Sequence, residues 1–341
     1  MATPSTNRPS PERIYMLFNA FQQTAALHSG IELDVFTAIG SGINTPALLA
    51  AKTGASERGL RILCDYLTVM GLLTKEELVY GLTPDSAIFL DRHSPASLAS
   101  VAGFLGAEWH AQNIKSLTAA VRKGGTVGVH GDNRKPQDEV WVAFARSMAQ
   151  LTAPAANFIA QLLGAPEGRP CRVLDVAAGH GMYGITVAKK NPQAHIVAVD
   201  WPAVLSVAQE NAETAGVLDR YATRPGSAFE ADLGENYDFV LLTNIFHHFD
   251  PPTCETLMRR VHNALKPGGK ALTLEFVPNE DRVTPPAAAA FSLNMLVGTE
   301  AGDAYTFAEY DAMLRNAGFA ASEMHDVPNS PQRILVSGKA Q

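Results

Sequence analysis

The sequence predicts a mainly helical N-terminal part followed by an α/β domain with a doubly wound, mostly parallel sheet. Its 341 residues are too many for one ordinary core and suit two domains of roughly 150 residues each. Apolar residues recur at helical spacing up to about residue 165, and strand-like and helix-like segments alternate from residue 171 onward. We therefore expect a helical domain over 1–100, a helical connector over 101–165 and an α/β domain over 166–341.

The first domain is predicted to contain a winged-helix unit preceded by helices. Residues 12 to about 40 carry apolar side chains at spacings of three and four. The pair Thr45-Pro46 opens a short helix that Gly54 ends, and Ser56 opens the next helix. The segment LLTKEELVYGLT then predicts a strand pair that turns at Lys75–Glu77. Helix, turn, helix and wing is the order of a winged-helix unit.

A winged helix can bind DNA, and its charge argues against that role here. Between Thr45 and Leu90, four basic residues stand against five acidic ones. The whole chain has a formal net charge of −7. Since phosphate contacts supply most non-specific affinity for nucleic acid, the unit is predicted to serve packing or dimerisation, and no nucleic-acid partner is expected.

Composition also bears on location and on metal binding. No segment reaches the run of about 18 apolar residues that a membrane helix needs, and the first residues do not have the pattern of a secretory signal. The 3 cysteines are far apart, which excludes a disulfide framework and a paired-cysteine metal site. We expect a cytoplasmic protein without a membrane partner or a metal.

Further helices are predicted over 96–165, interrupted by the glycine-rich loop GGTVGVHGDNRKP. In the α/β part, Pro202 begins one helix and a capping box, Thr306 with Glu309, begins another. The predicted strands are RVLDVAA, AHIVAVD, YDFVLLTN, KALTLEFV and two short ones around SEMHDV and RILVSGK. A sheet of this kind binds its ligand at the carboxyl ends of its parallel strands.

A glycine-rich turn follows the first of these strands. Gly179, Gly181 and Gly184 match the dinucleotide pattern G-x-G-x-x-G, and Asp200 ends the next strand as the expected ribose acceptor. A tight turn without a ligand is the alternative. Asp175 lies just before the glycines, where a carboxylate suits ammonium and sulfonium groups better than a pyrophosphate. S-adenosylmethionine is therefore favoured over a nicotinamide dinucleotide.

These residues and several later motifs carry a resemblance to a known family. The stretch from Val173 to Lys339 resembles the class I S-adenosylmethionine-dependent methyltransferases, and the whole chain is similar to the two-domain small-molecule O-methyltransferases. The matching motifs are VLDVAAGHG, VAVDWPAV, PGSAF, LLTNIFHHFDPPTC, LKPGGKALTLEF and TFAEYDAMLRNAGF. The resemblance implies a homodimer that methylates a hydroxyl group on a small aromatic or secondary-metabolite acceptor.

The resemblance also implies which residues contact the cofactor. Ala177 replaces a family glycine, which is acceptable if its φ is negative, and Ser227 stands where relatives usually carry an aspartate beside the adenine. Trp201 is predicted either to stack on the adenine or to pack in the core. The implied cofactor residues are Asp175, Ala177, Gly179, Gly181, Asp200, Trp201, Ser227, Ala228, Phe229, Thr243 and Asn244.

The expected catalytic residues follow the strand YDFVLLTN. A phenol ionises near pH 10, so a general base helps it to react at neutral pH, and histidine is the usual choice. Alignment with the family gives His247 as the base, with His248 as the alternative and Glu275 as a supporting carboxylate. A second supporting glutamate is missing, because Ala304 stands at its position. Histidines that only pack beside the cofactor are the other interpretation.

The family lines its acceptor pocket with helices from both domains. The corresponding residues are equally typical of ordinary helix cores. They are Phe104, Trp109, Phe144, Met148, Phe291, Asn294 and Met295. Other hypotheses are a C- or N-methyltransferase, a cofactor-binding regulatory protein without catalysis and, more distantly, a nicotinamide oxidoreductase.

Overall fold

A computed structural model of the protein describes residues 9–128 and 138–341, except for the side chains of Gly103, Leu105 and Asp138. The chain divides into two compact units, Met1–Gly106 and Ala107–Gln341. Most of the expected connector thus falls in the second unit. Residues 129–136 of the predicted glycine-rich loop lie outside the described residues.

The first unit is mainly helical, as predicted. The predicted helical region from residue 12 to about 40 consists of three separate helices. Asn19 separates the first from the second, and Asp34, with a φ of 56°, lies between the second and the third. The elements are α1 (Glu12–Phe18), α2 (Ala20–Glu32), α3 (Val35–Gly40), α4 (Pro46–Thr53), α5 (Glu57–Val69), β1 (Leu73–Glu76), β2 (Val79–Leu82), α6 (Pro84–Phe89) and α7 (Ala99–Leu105).

The helix–helix–wing order is present in this unit. The side chains of Thr45 and Ser56 cap α4 and α5 as the sequence predicted. The expected turn at Lys75–Glu77 is wrong by about one residue: Glu76 pairs with Val79, so the turn residues are 77 and 78. Glu77 has a φ of 52°, and no glycine marks the turn in the sequence.

The second unit contains the predicted doubly wound, mostly parallel sheet. Its strand order is β5-β4-β3-β6-β7-β9-β8, and only β9 runs antiparallel to its neighbours. The strands are β3 (Cys171–Val176), β4 (Ala194–Asp200), β5 (Tyr221–Pro225), β6 (Tyr237–Thr243), β7 (Leu265–Glu275), β8 (Ser322–Asp326) and β9 (Arg333–Gly338). The sequence did not predict β5, a short edge strand with the sequence YATRP.

Helices cover both faces of this sheet. Along β6, the side chains of Val240 and Leu242 enter one buried cluster and that of Leu241 enters another, as alternation along a strand requires. The capping box at Thr306 is present, and Pro202 begins its helix as predicted. The helices are α8 (Glu108–Lys115), α9 (Leu117–Lys123), α10 (Asp138–Met148), α11 (Ala153–Leu162), α12 (Met182–Lys190), α13 (Pro202–Thr214), α14 (Pro251–Ala264), α15 (Pro286–Gly298) and α16 (Phe307–Asn316).

The strand order reverses between β3 and β6. From β3 the chain first adds β4 and β5 on one side and later adds β6 and β7 on the other. A ligand crevice forms at the carboxyl ends of strands where the order reverses in this way. None of the described helices is both long and apolar enough to span a membrane.

Candidate active site

Asp175 lies at the carboxyl end of β3 with its side chain fully buried. One carboxylate oxygen, Oδ2, accepts a hydrogen bond from the backbone N–H of Gly184 at 3.2 Å. The other, Oδ1, has no partner among the described residues. Burial, reinforced by the charge of Asp200, raises the pKa of Asp175 to about 8. A buried carboxylate with an open acceptor position is suited to a cationic ligand.

Asp200 ends the neighbouring strand β4 and faces the glycine turn. Its Oδ2 accepts from the N–H of Gly179 at 2.8 Å, and its Oδ1 accepts from the N–H of Trp201 at 2.7 Å. Burial nevertheless raises the pKa of Asp200 to about 6. Gly179 has a φ of 58°, and a Cβ built on it would meet no atom within 4 Å. The turn therefore presents backbone and open space between two acids.

Ala177 contradicts one expectation. Its φ is 53°, in the left-handed region that glycine favours, so the expected negative φ is wrong. The backbone turns sharply after β3, and this turn holds Ala177 in the left-handed region despite its Cβ. A glycine would adopt this φ without the penalty of a Cβ.

We expect Ala177→Gly to stabilise the protein. Relief of the left-handed strain exceeds the added flexibility of glycine and contributes up to about 1 kcal/mol, which raises Tm by about 2–4 °C in a domain of this size. Ala178→Gly is the matched control: Ala178 is buried without a positive φ, so that variant should melt lower. A lower Tm for Ala177→Gly, measured by calorimetry, would contradict the strain argument.

The loop after β5 lies beside the end of β4. The N–H of Gly226 donates to the carbonyl oxygen of Asp200 at 2.9 Å. Ser227 is buried, and its Oγ accepts from the N–H of Phe229 at 3.2 Å. Ala228 is partly buried, and the ring of Phe229 packs edge-on against Phe249 at 5.0 Å. This loop therefore forms an apolar wall with one hydroxyl group next to Asp200.

Trp201 packs in a small cluster with α10 and α13. Its partly buried ring lies against Ala145, Val204 and Val207, together with Trp141. This packing is the core role that the sequence left open. This packing is compatible with one face of the Trp201 ring lying near the end of β4, so the contact of Trp201 with the adenine stays a prediction.

At the end of β6, Thr243 is buried and Asn244 has a φ of 58°. The side-chain amide of Asn244 donates to the hydroxyl of Tyr183 at 3.4 Å, and its carbonyl oxygen accepts from the side chain of Gln332. Sequence reasoning missed Tyr183 and Gln332. No local pattern distinguishes them, because they reach Asn244 from α12 and from the turn before β9.

Tyr221 is a second residue that the sequence did not indicate. Its hydroxyl is buried without a hydrogen-bond partner among the described residues. Burial and the charges of Asp175 and Asp200 raise its pKa well above the ordinary value. A Cβ on Gly181 would lie 2.5 Å from this hydroxyl, so the turn needs a glycine there.

His247 and Glu275 form a buried pair at the ends of β6 and β7. The imidazole Nδ1 lies 2.5 Å from Glu275 Oε2. Glu275 Oε1 accepts from the N–H of Phe246 at 2.8 Å, so both carboxylate oxygens are held. A carboxylate only accepts hydrogen bonds, so Nδ1 carries the proton and Nε2 is left as the basic nitrogen. The geometry is that of an oriented general base.

His248 differs from its neighbour. Its side chain packs edge-on against Trp141 at 5.4 Å and lies beside the ring of His247 at 4.3 Å. Burial, together with the charge of His247, lowers the pKa of His248 well below its ordinary range. This environment keeps His248 neutral and makes it a weak base.

An aromatic wall adjoins His247. The ring of Phe291 meets that of His247 edge-on at 4.9 Å and stacks on Phe276 at 4.0 Å. Met295 is buried one turn further along α15, and Asn294 is partly buried. Sequence reasoning missed Phe276, which follows Glu275 directly.

The other predicted lining residues are spread over several helices. Trp109 lies on α8, which packs against α15. Phe144 lies on α10 and meets Trp141 edge-on at 6.1 Å, and Met148 ends the same helix, partly buried. Phe104 belongs to α7 of the first unit. Their role in acceptor binding stays a prediction.

The position of the missing glutamate is filled by packing. Ala304 is fully buried, and the adjacent Asp303 pairs with Arg282 at 3.2 Å. In the described part of the chain, no cluster of three or more His, Cys, Asp or Glu side chains is placed to hold a metal ion. Among the described residues, His247 therefore has one carboxylate partner, Glu275.

Comparisons with known proteins agree with this geometry. The O-methyltransferase domain family matches residues 156–320, and the O-methyltransferase dimerisation domain matches residues 15–92. A candidate O-methyltransferase from Nostoc punctiforme, known from a crystal structure, is 48% identical in sequence to this chain. The two structures match with a TM-score of 0.92, over 98% of this chain and 100% of that one. The chain belongs to the O-methyltransferase family.

Other members of the family are more distant. A 3-hydroxy-5-methyl-1-naphthoate 3-O-methyltransferase from Streptomyces sahachiroi is 29% identical over 90% of this chain and 89% of that protein. Human N-acetylserotonin methyltransferase, solved in complex with S-adenosylmethionine, is 22% identical with a TM-score of 0.86 over 99% of this chain and 100% of that one. At that identity the likeness shows the fold.

The protein is thus an S-adenosylmethionine-dependent O-methyltransferase of the secondary-metabolite type. The donor site suits this cofactor on structural grounds. Among the described residues, Oδ1 of the buried Asp175 has no hydrogen-bond partner, and the turn at Gly179 has open space beside it. A cation bound there would favour the ionised form of a carboxyl group whose pKa burial raises to about 8. A diphosphate would bring negative charge to a pair of buried acids, which argues against the nicotinamide alternative.

Proposed function

We propose that this O-methyltransferase methylates a hydroxyl group on a small aromatic acceptor, with His247 as the general base. S-adenosylmethionine supplies the methyl group as an electrophilic carbon on a sulfonium. His247 Nε2 takes the hydroxyl proton while the acceptor oxygen forms its bond to the methyl carbon. The bound donor would give up the methyl group with cleavage of its carbon–sulfur bond, and it would leave as the neutral thioether.

Glu275 is proposed to orient and stabilise this base. Its Oε2 lies 2.5 Å from His247 Nδ1, so it holds one ring orientation and stabilises the imidazolium that forms. Its other oxygen is engaged by the N–H of Phe246. The single observation that carries the proposal is this buried carboxylate, with one oxygen hydrogen-bonded to His247 and the other to the backbone of Phe246.

The acceptor is proposed to be flat and aromatic. The ring of Phe291, stacked on Phe276 and edge-on to His247, forms an apolar surface beside the imidazole. The relative from Streptomyces sahachiroi acts on a hydroxynaphthoate, which is consistent with such a wall. Trp109, Phe144, Met148, Asn294 and Met295 are the further proposed lining residues.

The donor contacts are proposed to come from the three strand ends. Asp175 and the turn at Gly179 and Gly181 would hold the charged amino-acid end, and Asp200 would hold the ribose. The adenine would lie between Trp201 and the loop 227–229. Ala177, Thr243 and Asn244 would form the floor between the donor and the base.

The test is methyl transfer from radiolabelled S-adenosylmethionine to matched acceptors. Each set contains a naphthol or phenol, its amino counterpart and the unsubstituted ring. We expect product only from the hydroxylated member. Transfer to the amine, or to a ring carbon of any member, would instead indicate the N- or C-methyltransferase that the sequence left open.

The chain is proposed to work as a homodimer in the cytoplasm. It carries a dimerisation domain, and the helical region 12–21 exposes a large apolar surface. Phe18 is 72% exposed and Phe21 is 69% exposed, which is costly in water for a lone subunit. Light scattering on the purified chain should give twice the mass of one chain.

A further inference from the structure

We propose that Gly302 is a positioning residue for the catalytic base, a role that rests on His247 being that base. Gly302 lies between α15 and α16, in a segment that packs against the turn carrying His247. Its missing side chain allows the backbone of this segment to touch the backbone of the turn. The position sets where the imidazole stands relative to Glu275.

The contact at Gly302 has no room for a methyl group. A Cβ built there would lie 2.1 Å from the carbonyl oxygen of His247 and 2.8 Å from the carbonyl carbon of His248. Both are backbone atoms, so no side-chain rotation relieves the overlap. Any larger residue must displace either the segment or the turn.

Gly302 is also held from its own side. Its N–H donates to the hydroxyl of Thr299 at 2.9 Å, and that hydroxyl donates to the carbonyl oxygen of Met295 at 2.7 Å. Thr299 itself is buried and bonds through its carbonyl oxygen to the N–H of Thr126 at 2.8 Å. The segment is therefore anchored, and a Cβ at Gly302 is expected to move the turn.

Two further contacts hold the turn on either side of His247. The hydroxyl of Tyr305 donates to the carbonyl oxygen of Phe249 at 2.6 Å. The buried thiol of Cys254 donates to the carbonyl oxygen of Phe246 at 3.2 Å. The N–H of Phe246 also donates to Glu275, so the turn is held at both ends. A Cβ at Gly302 that pushes on the carbonyl oxygen of His247 is therefore expected to displace His247 itself. Misplacing a catalytic group by about 1 Å can cost about 100-fold in rate.

The experiment compares Gly302→Ala with Gly298→Ala in the full-length protein. Gly298 ends α15, and a Cβ there meets no atom within 4 Å. We expect Gly302→Ala to lower kcat about 10- to 100-fold with the Kd for S-adenosylhomocysteine within about twofold of wild type. Gly298→Ala should keep both constants. A kcat for Gly302→Ala equal to that of Gly298→Ala would overturn the inference.

A double variant separates positioning from general structural damage. If Gly302 acts through His247, then Gly302→Ala should cause no further loss in a His247→Ala background, measured by single-turnover transfer of radiolabelled methyl. An equal loss in both backgrounds would overturn the inference and leave the base intact. If His247→Ala alone retains activity, the proposed base fails and the positioning role fails with it.

Tyr305→Phe provides a milder perturbation of the same turn. It removes only the hydroxyl that bonds to Phe249, and we expect a loss in kcat of about 3- to 10-fold, the size of one hydrogen bond. The pH dependence of kcat should change in Gly302→Ala and Tyr305→Phe, since both shift the imidazole relative to Glu275. Unchanged pH profiles in both variants would contradict the positioning role.

Discussion

His247→Ala is expected to lower kcat by about 100- to 10,000-fold, the usual contribution of a general base. The acceptor hydroxyl would then have to lose its proton to water. Donor binding involves different strand ends, so the Kd for S-adenosylhomocysteine should stay within about twofold. Steady-state kinetics and calorimetry on the same preparation provide both values.

Variants of the neighbouring residues test this assignment further. Glu275→Gln keeps the shape but removes the charge that stabilises the imidazolium, so its kcat should fall by about 10-fold or more. His248→Gln should lose less activity than His247→Ala, since burial keeps His248 neutral. If His248→Gln has the larger loss, the base is His248 and the pairing with Glu275 serves structure only.

Asp175→Asn is expected to weaken S-adenosylmethionine binding about 100-fold, because truncating one member of a buried charge pair costs about 2–5 kcal/mol. Asparagine keeps an acceptor for the N–H of Gly184 but lacks the negative charge. Calorimetric titration of the variant against wild type measures the difference. Unchanged affinity would show that the carboxylate charge does not select the donor.

The same substitution should change the dependence on pH. The pKa of Asp175 is about 8 in the ligand-free protein, and a cation favours the ionised form. Wild-type affinity should therefore rise with pH, by up to about tenfold per unit below pH 8, and then level off. Asp175→Asn should lack this rise above about pH 6, because Asp200, whose pKa burial raises to about 6, is largely ionised there and contributes only at lower pH.

Stability should respond in the opposite direction. A carboxyl group whose pKa is raised on folding binds more protons when folded, so wild-type stability falls as pH increases from about 4 to 8. Ligand-free Asp175→Asn should lose the part of this decline between about pH 6 and 8, keep the part at lower pH that comes from Asp200, and melt higher than wild type at pH 8. Asp250→Asn is the control, since Asp250 only caps α14 and asparagine caps equally well.

Much of the fold followed from local patterns. Thr45, Ser56 and Thr306 cap helices because the capping geometry involves only neighbouring residues. The alternation of buried strands and helices predicted the parallel sheet. The edge strand β5 was not predicted because YATRP is short and half exposed. Only its pairing with β4 identifies it as a strand.

The candidate site divided in a similar way. Asp175, Asp200 and His247 were predicted because strand ends converge on one edge of a parallel sheet. Tyr183, Tyr221 and Phe276 were not, since each reaches the site through packing. The left-handed φ of Ala177 was also unforeseen, because alanine gives no sign of it.

Sequence by itself determined the fold class, the glycine turn, the acids around it and the histidine after β6, because each depends on residues close together along the chain. The resemblance implied Glu275 as a supporting carboxylate, but which nitrogen of His247 it meets, the neutral state of His248 and the contact at Gly302 were decided only by tertiary structure. These depend on contacts between residues 28 to 107 positions apart along the chain. Burial between those segments determines which nitrogen, which oxygen and which glycine matters.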